Sequence, residues 1–185
     1  KEHDENMAQD EIDKYCKEND IVLIIDEVQT GNGRTGKFYS YMNYGITPDV
    51  VSTAKGLAGG LPMGATILGD KVKDTFAFGD HGSTFGGNPV AAAGAVSIVK
   101  RIDNELLDGV TQKGNLIKDF FKDDENVEQI SGMGLMVGIK PSKKPAADVV
   151  KQCMENGVLC LTAKDKVRLL PPLNISVDTL KQALN

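Results

Sequence analysis

Lys55 closes the apolar stretch Val50-Val51-Ser52-Thr53-Ala54 and is followed at once by Gly56-Leu57-Ala58-Gly59-Gly60-Leu61-Pro62-Met63-Gly64. A lysine delivered by a buried strand into a Gly-rich loop is set up for chemistry. Burial disfavours its ammonium form, and the glycines let backbone and ligand approach closely. Upstream, a second apolar run, Ile21-Val22-Leu23-Ile24-Ile25, ends in Asp26-Glu27-Val28-Gln29-Thr30-Gly31. An amine able to form a Schiff base, opposite a carboxylate able to pair with a pyridinium nitrogen, is the pair that pyridoxal-phosphate chemistry needs.

Two strands have to deliver that pair. If both belong to one parallel sheet, Asp26 and Lys55 project from its C-terminal edge, where α/β proteins place their ligands. The spacing predicts an amphipathic helix over 10–19, a strand at 21–25, the strand that ends before Lys55, and a further apolar strand at 65–68. Asn88-Pro89 reads as an N-cap with proline at the first helical position, opening a small-residue helix over 90–101. A second helix over 105–122 carries Leu106, Leu107, Val110, Ile117, Phe120 and Phe121. Past Asp124 the pattern becomes strand over 127–140, helix over 146–156, short strands at 158–162 and 166–170, and a last helix capped by Ser176. The division expected is a larger α/β part over 1–105 and a small α+β domain over 106–185, with residues 1–8 as a frayed end.

Bulk properties exclude several function classes. The 185 residues carry 21 basic and 26 acidic side chains, a net charge of -5 with no basic stripe, which disfavours nucleic acid and anionic membranes. No apolar run approaches the roughly 20 residues that span a bilayer. No signal peptide opens the chain. Cys16, Cys153 and Cys160 are odd in number, lack metal-site spacing and read as reduced thiols, mostly in the core, of a cytoplasmic protein. With His3 and His81 as the only histidines, a multi-His centre is excluded, and no metal site is expected.

Gly31-Asn32-Gly33-Arg34-Thr35-Gly36-Lys37 imitates two nucleotide motifs. It fits G-x-G-x-x-G and nearly fits the P-loop. However, Phe38 stands where a P-loop needs Ser or Thr for magnesium, and the acidic strand precedes the loop rather than following it. For a dinucleotide fold, the glycines should open a helix directly after the strand, and Asp26–Thr30 intervenes. A plain Gly-rich turn accounts for the segment better, with a nucleotide-binding module kept as an alternative.

Ile25-Asp26-Glu27-Val28-Gln29-Thr30-Gly31 with Gly33-Arg34-Thr35-Gly36, then Ala54-Lys55-Gly56, then His81-Gly82-Ser83-Thr84-Phe85-Gly86-Gly87-Asn88-Pro89 resemble, in order and spacing, the class III aminotransferases of the ornithine/acetylornithine type. The resemblance continues through Gly132-Met133-Gly134-Leu135 and Val167-Arg168-Leu169-Leu170-Pro171-Pro172, and its wording is most similar to the acetylornithine aminotransferases. It implies fold type I of the PLP-dependent transferases: the C-terminal part of the large cofactor-binding domain (1–105) followed by the small C-terminal domain (106–185), with the last helix cut short.

By the same resemblance, Lys55 would carry pyridoxal 5'-phosphate as a Schiff base and later shuttle a proton, and Asp26 would keep the pyridine nitrogen protonated. Gln29 would lie near the phenolic oxygen. Thr84 would reach the cofactor phosphate of a neighbouring subunit in a homodimer, with Ser83 beside it on the substrate side. Arg168 would clamp the substrate α-carboxylate, the partners being an amino acid and 2-oxoglutarate, in arginine biosynthesis. Glu27 and His81 are expected to be structural. Family members are roughly twice this length. The phosphate cup, the aromatic that stacks on the ring and an upstream glutamate do not appear in residues 1–20, so a C-terminal fragment is expected. Alternatives within the class are ornithine and 4-aminobutyrate aminotransferases; outside it stands a folded fragment that binds no cofactor.

Overall fold

The structure, a computed structural model, describes residues 9–185. The frayed end expected over 1–8 lies outside them. The chain divides into two compact units, one taking in the chain to Asn32 and Lys37–Ile102, the other Gly33–Gly36 and Asp103–Asn185.

In the first unit, helix α1 (Gln9–Glu18) leads through coil to strand β1 (Ile24–Asp26). β1 runs parallel to β2 (Val50–Thr53), setting Ile24 against Val50 and Asp26 against Ser52. β3 (Ala65–Leu68) adds to the other side of β2, antiparallel, giving the order β1-β2-β3. The sheet is therefore mixed, where the sequence suggested a parallel one. A parallel return needs a crossover, usually a helix, of a dozen or more residues. Residues 54–64 hold only a short 3-10 turn, Lys55–Ala58, so the chain comes back antiparallel.

The expected strand at 21–25 also shifts. Leu23 is engaged by Asp49, whose N–H donates to its carbonyl at 2.9 Å and whose Oδ2 accepts from its N–H at 2.9 Å. The ladder starts one residue later and ends on Asp26.

Helix α2 (Pro89–Val99) begins where Asn88 Oδ1 accepts from the N–H groups of Val90 and Ala91 at 3.0 and 3.1 Å, satisfying two donors that an uncapped end leaves orphaned. It packs on the 3-10 turn after Lys55, burying Leu57, Ala58 and Ala95 together. Gly94 permits the approach, since a Cβ there would lie 3.1 Å from the Ala58 carbonyl.

The second unit contains helix α3 (Asn104–Phe121), strands β4 (Val127–Met133) and β5 (Met136–Pro141), helix α4 (Ala146–Glu155), strands β6 (Leu161–Ala163) and β7 (Lys166–Leu169), and helix α5 (Val177–Leu184). Its sheet is antiparallel in the order β4-β5-β7-β6. Val110 and Ile117, one α-helical face of α3, are fully buried against Leu135, Val137, Ile139 and Leu180. Lys113 lies on the same helix, and its Nζ donates to the carbonyls of Leu173 and Ile175 at 2.6 and 3.1 Å. Burial draws its pKa down.

The stretch 127–140, read as one strand, is a hairpin. Gly134 turns it at φ +54°, and a Cβ there would stand 2.6 Å from the Arg34 carbonyl. Likewise the strand expected from Val158 starts only at Leu161, because residues 156–158 close α4.

Candidate active site

Asp26 is the last residue of β1 and Lys55 follows β2 by two residues, so both leave the C-terminal ends of adjacent parallel strands, as the sequence suggested. Ser52, three residues before Lys55, is Asp26's partner in register, and its Oγ donates to Asp26 Oδ1 at 3.1 Å. The Val28 N–H donates to the same oxygen at 2.9 Å. These two bonds fix the carboxylate through Oδ1.

Lys55 takes φ +50°, a left-handed conformation uncommon for a side-chain-bearing residue and one that clusters at ligand clamps and catalytic sites. In one respect the site differs from expectation. Lys55 and Asp26 are exposed in this chain, not desolvated. The strands that deliver them are too short and too open on one side, Ile24 being 65% exposed, to bury their ends.

Two buried groups that the sequence gave little reason to single out hold this edge. Asn32 is buried at φ +56°, and its Nδ2 donates to Thr53 Oγ1 at 3.2 Å and to the Ala54 carbonyl at 3.0 Å. It therefore fixes the backbone directly before Lys55, while its Oδ1 is buried without a partner. Glu27 is fully buried and accepts from Thr30 Oγ1 at 2.5 Å, Ser40 Oγ at 2.6 Å and the Tyr41 N–H at 2.9 Å. Its role is structural: it folds the loop after β1 back on itself. The only sequence signal was an acid inside an apolar neighbourhood.

Gln29 is exposed in the turn after Asp26. Ser83 and Thr84 are exposed as well, in a tight turn closed by the Gly86 N–H on the Ser83 carbonyl at 3.2 Å. Ser83 lines a recess of about 330 Å³ with Met63, Gly64, Phe85 and Asn88; Thr84 does not line it. His81 packs edge-on against Phe76 with ring centroids 4.3 Å apart.

Arg168 belongs to the second unit. It sits half-buried in β7, opposite Gly138 of β5 and Leu161 of β6. Arg34 of the same unit braces the segment that follows: its guanidinium donates to the Pro171 carbonyl at 2.5 Å and the Leu135 carbonyl at 3.2 Å, and the Leu135 N–H returns a bond to the Arg34 carbonyl at 3.0 Å. Burial draws the Arg34 pKa down, and the nearby Arg168 cation draws it down further.

The loop Gly33–Gly36 is thus a turn, with the Gly36 N–H on the Gly33 carbonyl at 3.1 Å. No α-helix starts behind it; the next one is α2. A phosphate-binding loop needs a helix N-terminus there, which argues against the nucleotide reading. Among the described residues, no three metal-ligating side chains cluster, and no helix is long and apolar enough to cross a membrane.

The sequence model of the class-III aminotransferases matches residues 3–185. The chain belongs to this family. An acetylornithine aminotransferase of Haemophilus ducreyi is 48% identical over 170 residues, covering 91% of this chain and 43% of that protein. The acetylornithine aminotransferase of Bacillus subtilis is 38% identical over 179 residues, 94% of this chain and 46% of its own length. Among solved structures, the ornithine delta-aminotransferase of Plasmodium falciparum superposes with a TM-score of 0.85 at 36% identity, over 95% of this chain and 48% of that one. N-acetylornithine aminotransferase of Stenotrophomonas maltophilia gives 0.84 at 30% identity, over 95% and 48%. The chain spans less than half the length of these relatives. The α/β fold is that of a fold type I aminotransferase over the part present.

Proposed function

We propose that this chain supplies the lysine-bearing half of a pyridoxal-5'-phosphate-dependent aminotransferase, moving an amino group from N-acetylornithine or a related diamino acid to 2-oxoglutarate. The observation that carries the reading is the pairing of Asp26 with Ser52 beside Lys55, at the C-terminal ends of two parallel strands in a chain of this family. The donor set fits the cofactor. Lys55 offers an amine on a left-handed backbone. Asp26 offers a carboxylate fixed through Oδ1, and the Ser83–Thr84 turn offers hydroxyls and N–H groups.

When bound, pyridoxal phosphate supplies an electron sink for the carbanion left by Cα deprotonation. Lys55 would hold it covalently, then take and return the proton at the substrate Cα. Asp26 would keep the ring nitrogen protonated by its negative charge. Gln29 would face the phenolic oxygen, and Thr84 would serve the phosphate of a partner subunit in a homodimer, with Ser83 on the substrate side. Arg168 would orient the α-carboxylate, with Arg34 bracing the segment after its strand. The setting is cytoplasmic, within arginine biosynthesis. Ornithine as amino donor is the second reading, favoured by the likeness to the Plasmodium falciparum structure.

Borohydride reduction of a full-length holoenzyme carrying this chain, followed by peptide mapping, should place the pyridoxyl group on Lys55. An adduct on another lysine, or none, overturns the assignment. Comparing kcat/KM for N-acetylornithine and ornithine then decides between the two donors.

A further inference from the structure

Six residues separate Cys153 from Cys160, which lie on either side of the end of α4. The helix terminates in a left-handed cap: the Gly157 N–H donates to the Met154 carbonyl at 3.0 Å and the Val158 N–H to the Cys153 carbonyl at 2.9 Å, with Gly157 at φ +83°. This double bond pattern reverses the chain within one turn and satisfies carbonyls the helix end would orphan. Its consequence is that the residues after Gly157 run back over Cys153. Cys160, 8% exposed, and the half-buried Cys153 join one apolar cluster with Ala146, Val150 and Val167.

Both cysteines also line a cavity of about 490 Å³, whose walls include Phe121, Val127, Ile139 and Leu169. A thiol pair sealed in a core is inert. A pair that opens onto a cavity of this size can be reached by a small apolar reagent.

We propose that Cys153 and Cys160 form a reversible dithiol–disulfide site that reacts with small, uncharged organic disulfides admitted through this cavity. The Cys153 thiolate attacks one sulfur of the reagent R–S–S–R, forming the mixed disulfide and expelling RS⁻, which takes up a proton. Cys160 then loses its proton to solvent and attacks the Cys153 sulfur, expelling the second RS⁻. Two protein thiols give up two electrons and become one disulfide; the reagent disulfide is reduced to two thiols. The order follows from exposure and charge. Cys153 is the more accessible, whereas burial, with the neighbouring Cys153 thiol, holds the Cys160 thiol up at about 11. Cys16 lies in the first unit on α1, with no second cysteine within its unit.

The site adjoins the strand pair that carries Arg168, because Cys160 immediately precedes Leu161 of β6, the register partner of Arg168 on β7. Any effect on substrate binding would rest on the function proposed above; the chemistry of the thiol pair does not.

The test is to incubate the chain with 2-hydroxyethyl disulfide, then measure intact mass, titrate free thiols under denaturing conditions and map peptides. The expected result is a mass loss of about 2 Da, a titre falling from three thiols to one, and a single Cys153–Cys160 cross-link reversed by dithiothreitol. C160S should stop at a retained hydroxyethyl adduct on Cys153, and C16S should behave as the parent. The parent's own peptide map decides the question even if a variant fails to fold. Three free thiols after treatment, separate adducts on both cysteines, or a cross-link that involves Cys16 would each overturn the proposal.

Discussion

Arg168 and Arg34 show how two residues of one type divide a task. Arg34 has given two of its donors to backbone carbonyls, so its contribution is to hold the chain at Leu135 and Pro171. Arg168 stands on β7 three residues before Pro171, and it carries the charge and the fork geometry suited to a carboxylate. Losing a bidentate, charge-assisted pair should cost on the order of 2–4 kcal/mol of transition-state binding. In the full-length enzyme, Arg168→Ala should therefore lower kcat/KM by roughly 10²–10³, with cofactor absorbance intact. Arg168→Lys should recover only part of the loss, since an ammonium cannot make the paired contact. Near-normal kinetics of Arg168→Ala with amino-acid substrates would reduce Arg168 to a surface charge. The strand ends at Asp26 and just before Lys55 were legible in the sequence because an apolar run closed by an acid, or by a lysine and glycines, is readable locally. The partners of Asn32, Arg34 and Glu27 were not, because Ala54, Pro171 and Tyr41 are brought to them by the fold.

Among the elements, helices were easier to read than strands, and α3 shows why. Its apolar spacing and its Asp103 cap, which accepts from the Leu106 N–H at 2.9 Å, are both local, so the helix expected over 105–122 is found over Asn104–Phe121. By contrast, β4 and β5 are separated by a turn whose glycine is dictated by a neighbour distant in sequence, so the run 127–140 looked continuous. The same distinction yields a prediction with opposite signs inside one helix. At Gly109 a Cβ would meet nothing nearer than the flexible end of Lys113 at 4.0 Å, whereas at Gly114 it would lie 2.2 Å from the Gly134 carbonyl. Gly109→Ala should stabilise the second unit by about 0.5–1 kcal/mol, the helix-propensity gain. Gly114→Ala should destabilise it by more than about 2 kcal/mol, because backbone in the hairpin turn has to move. Urea unfolding followed by circular dichroism measures both. If the two substitutions shift the midpoint in the same direction, the close packing of α3 on the β4–β5 turn is wrong.

For the molecule as a whole, the residues proposed to hold the cofactor and supply its chemistry are present, while the surfaces that would enclose them are open. Lys55, Asp26, Gln29, Ser83 and Thr84 are all exposed, and apolar side chains stand out around them: Ile24 is 65% exposed, Phe85 83% and Val90 66%. Relatives of about twice this length supply the other half of the fold. Orientation within a closed site contributes several kcal/mol of catalysis, and phosphate contacts dominate the anchoring of a small anionic cofactor. Exposed apolar patches of this kind also mark surfaces meant for a partner. The 185-residue chain by itself should therefore bind pyridoxal phosphate weakly, self-associate, and transaminate at least tenfold more slowly than the full-length enzyme. The measurement is glutamate formation from 2-oxoglutarate and N-acetylornithine with added cofactor, alongside the visible absorbance that Lys55 gives when it carries pyridoxal phosphate. Turnover within tenfold of the full-length enzyme would place the cofactor's anchoring contacts inside this chain, against the exposure of every residue assigned to them. Absorbance without turnover would support the division drawn between chemical groups and enclosing shell. Neither absorbance nor turnover would mean that Lys55 and Asp26 cannot engage the cofactor unless the rest of the fold first closes over them.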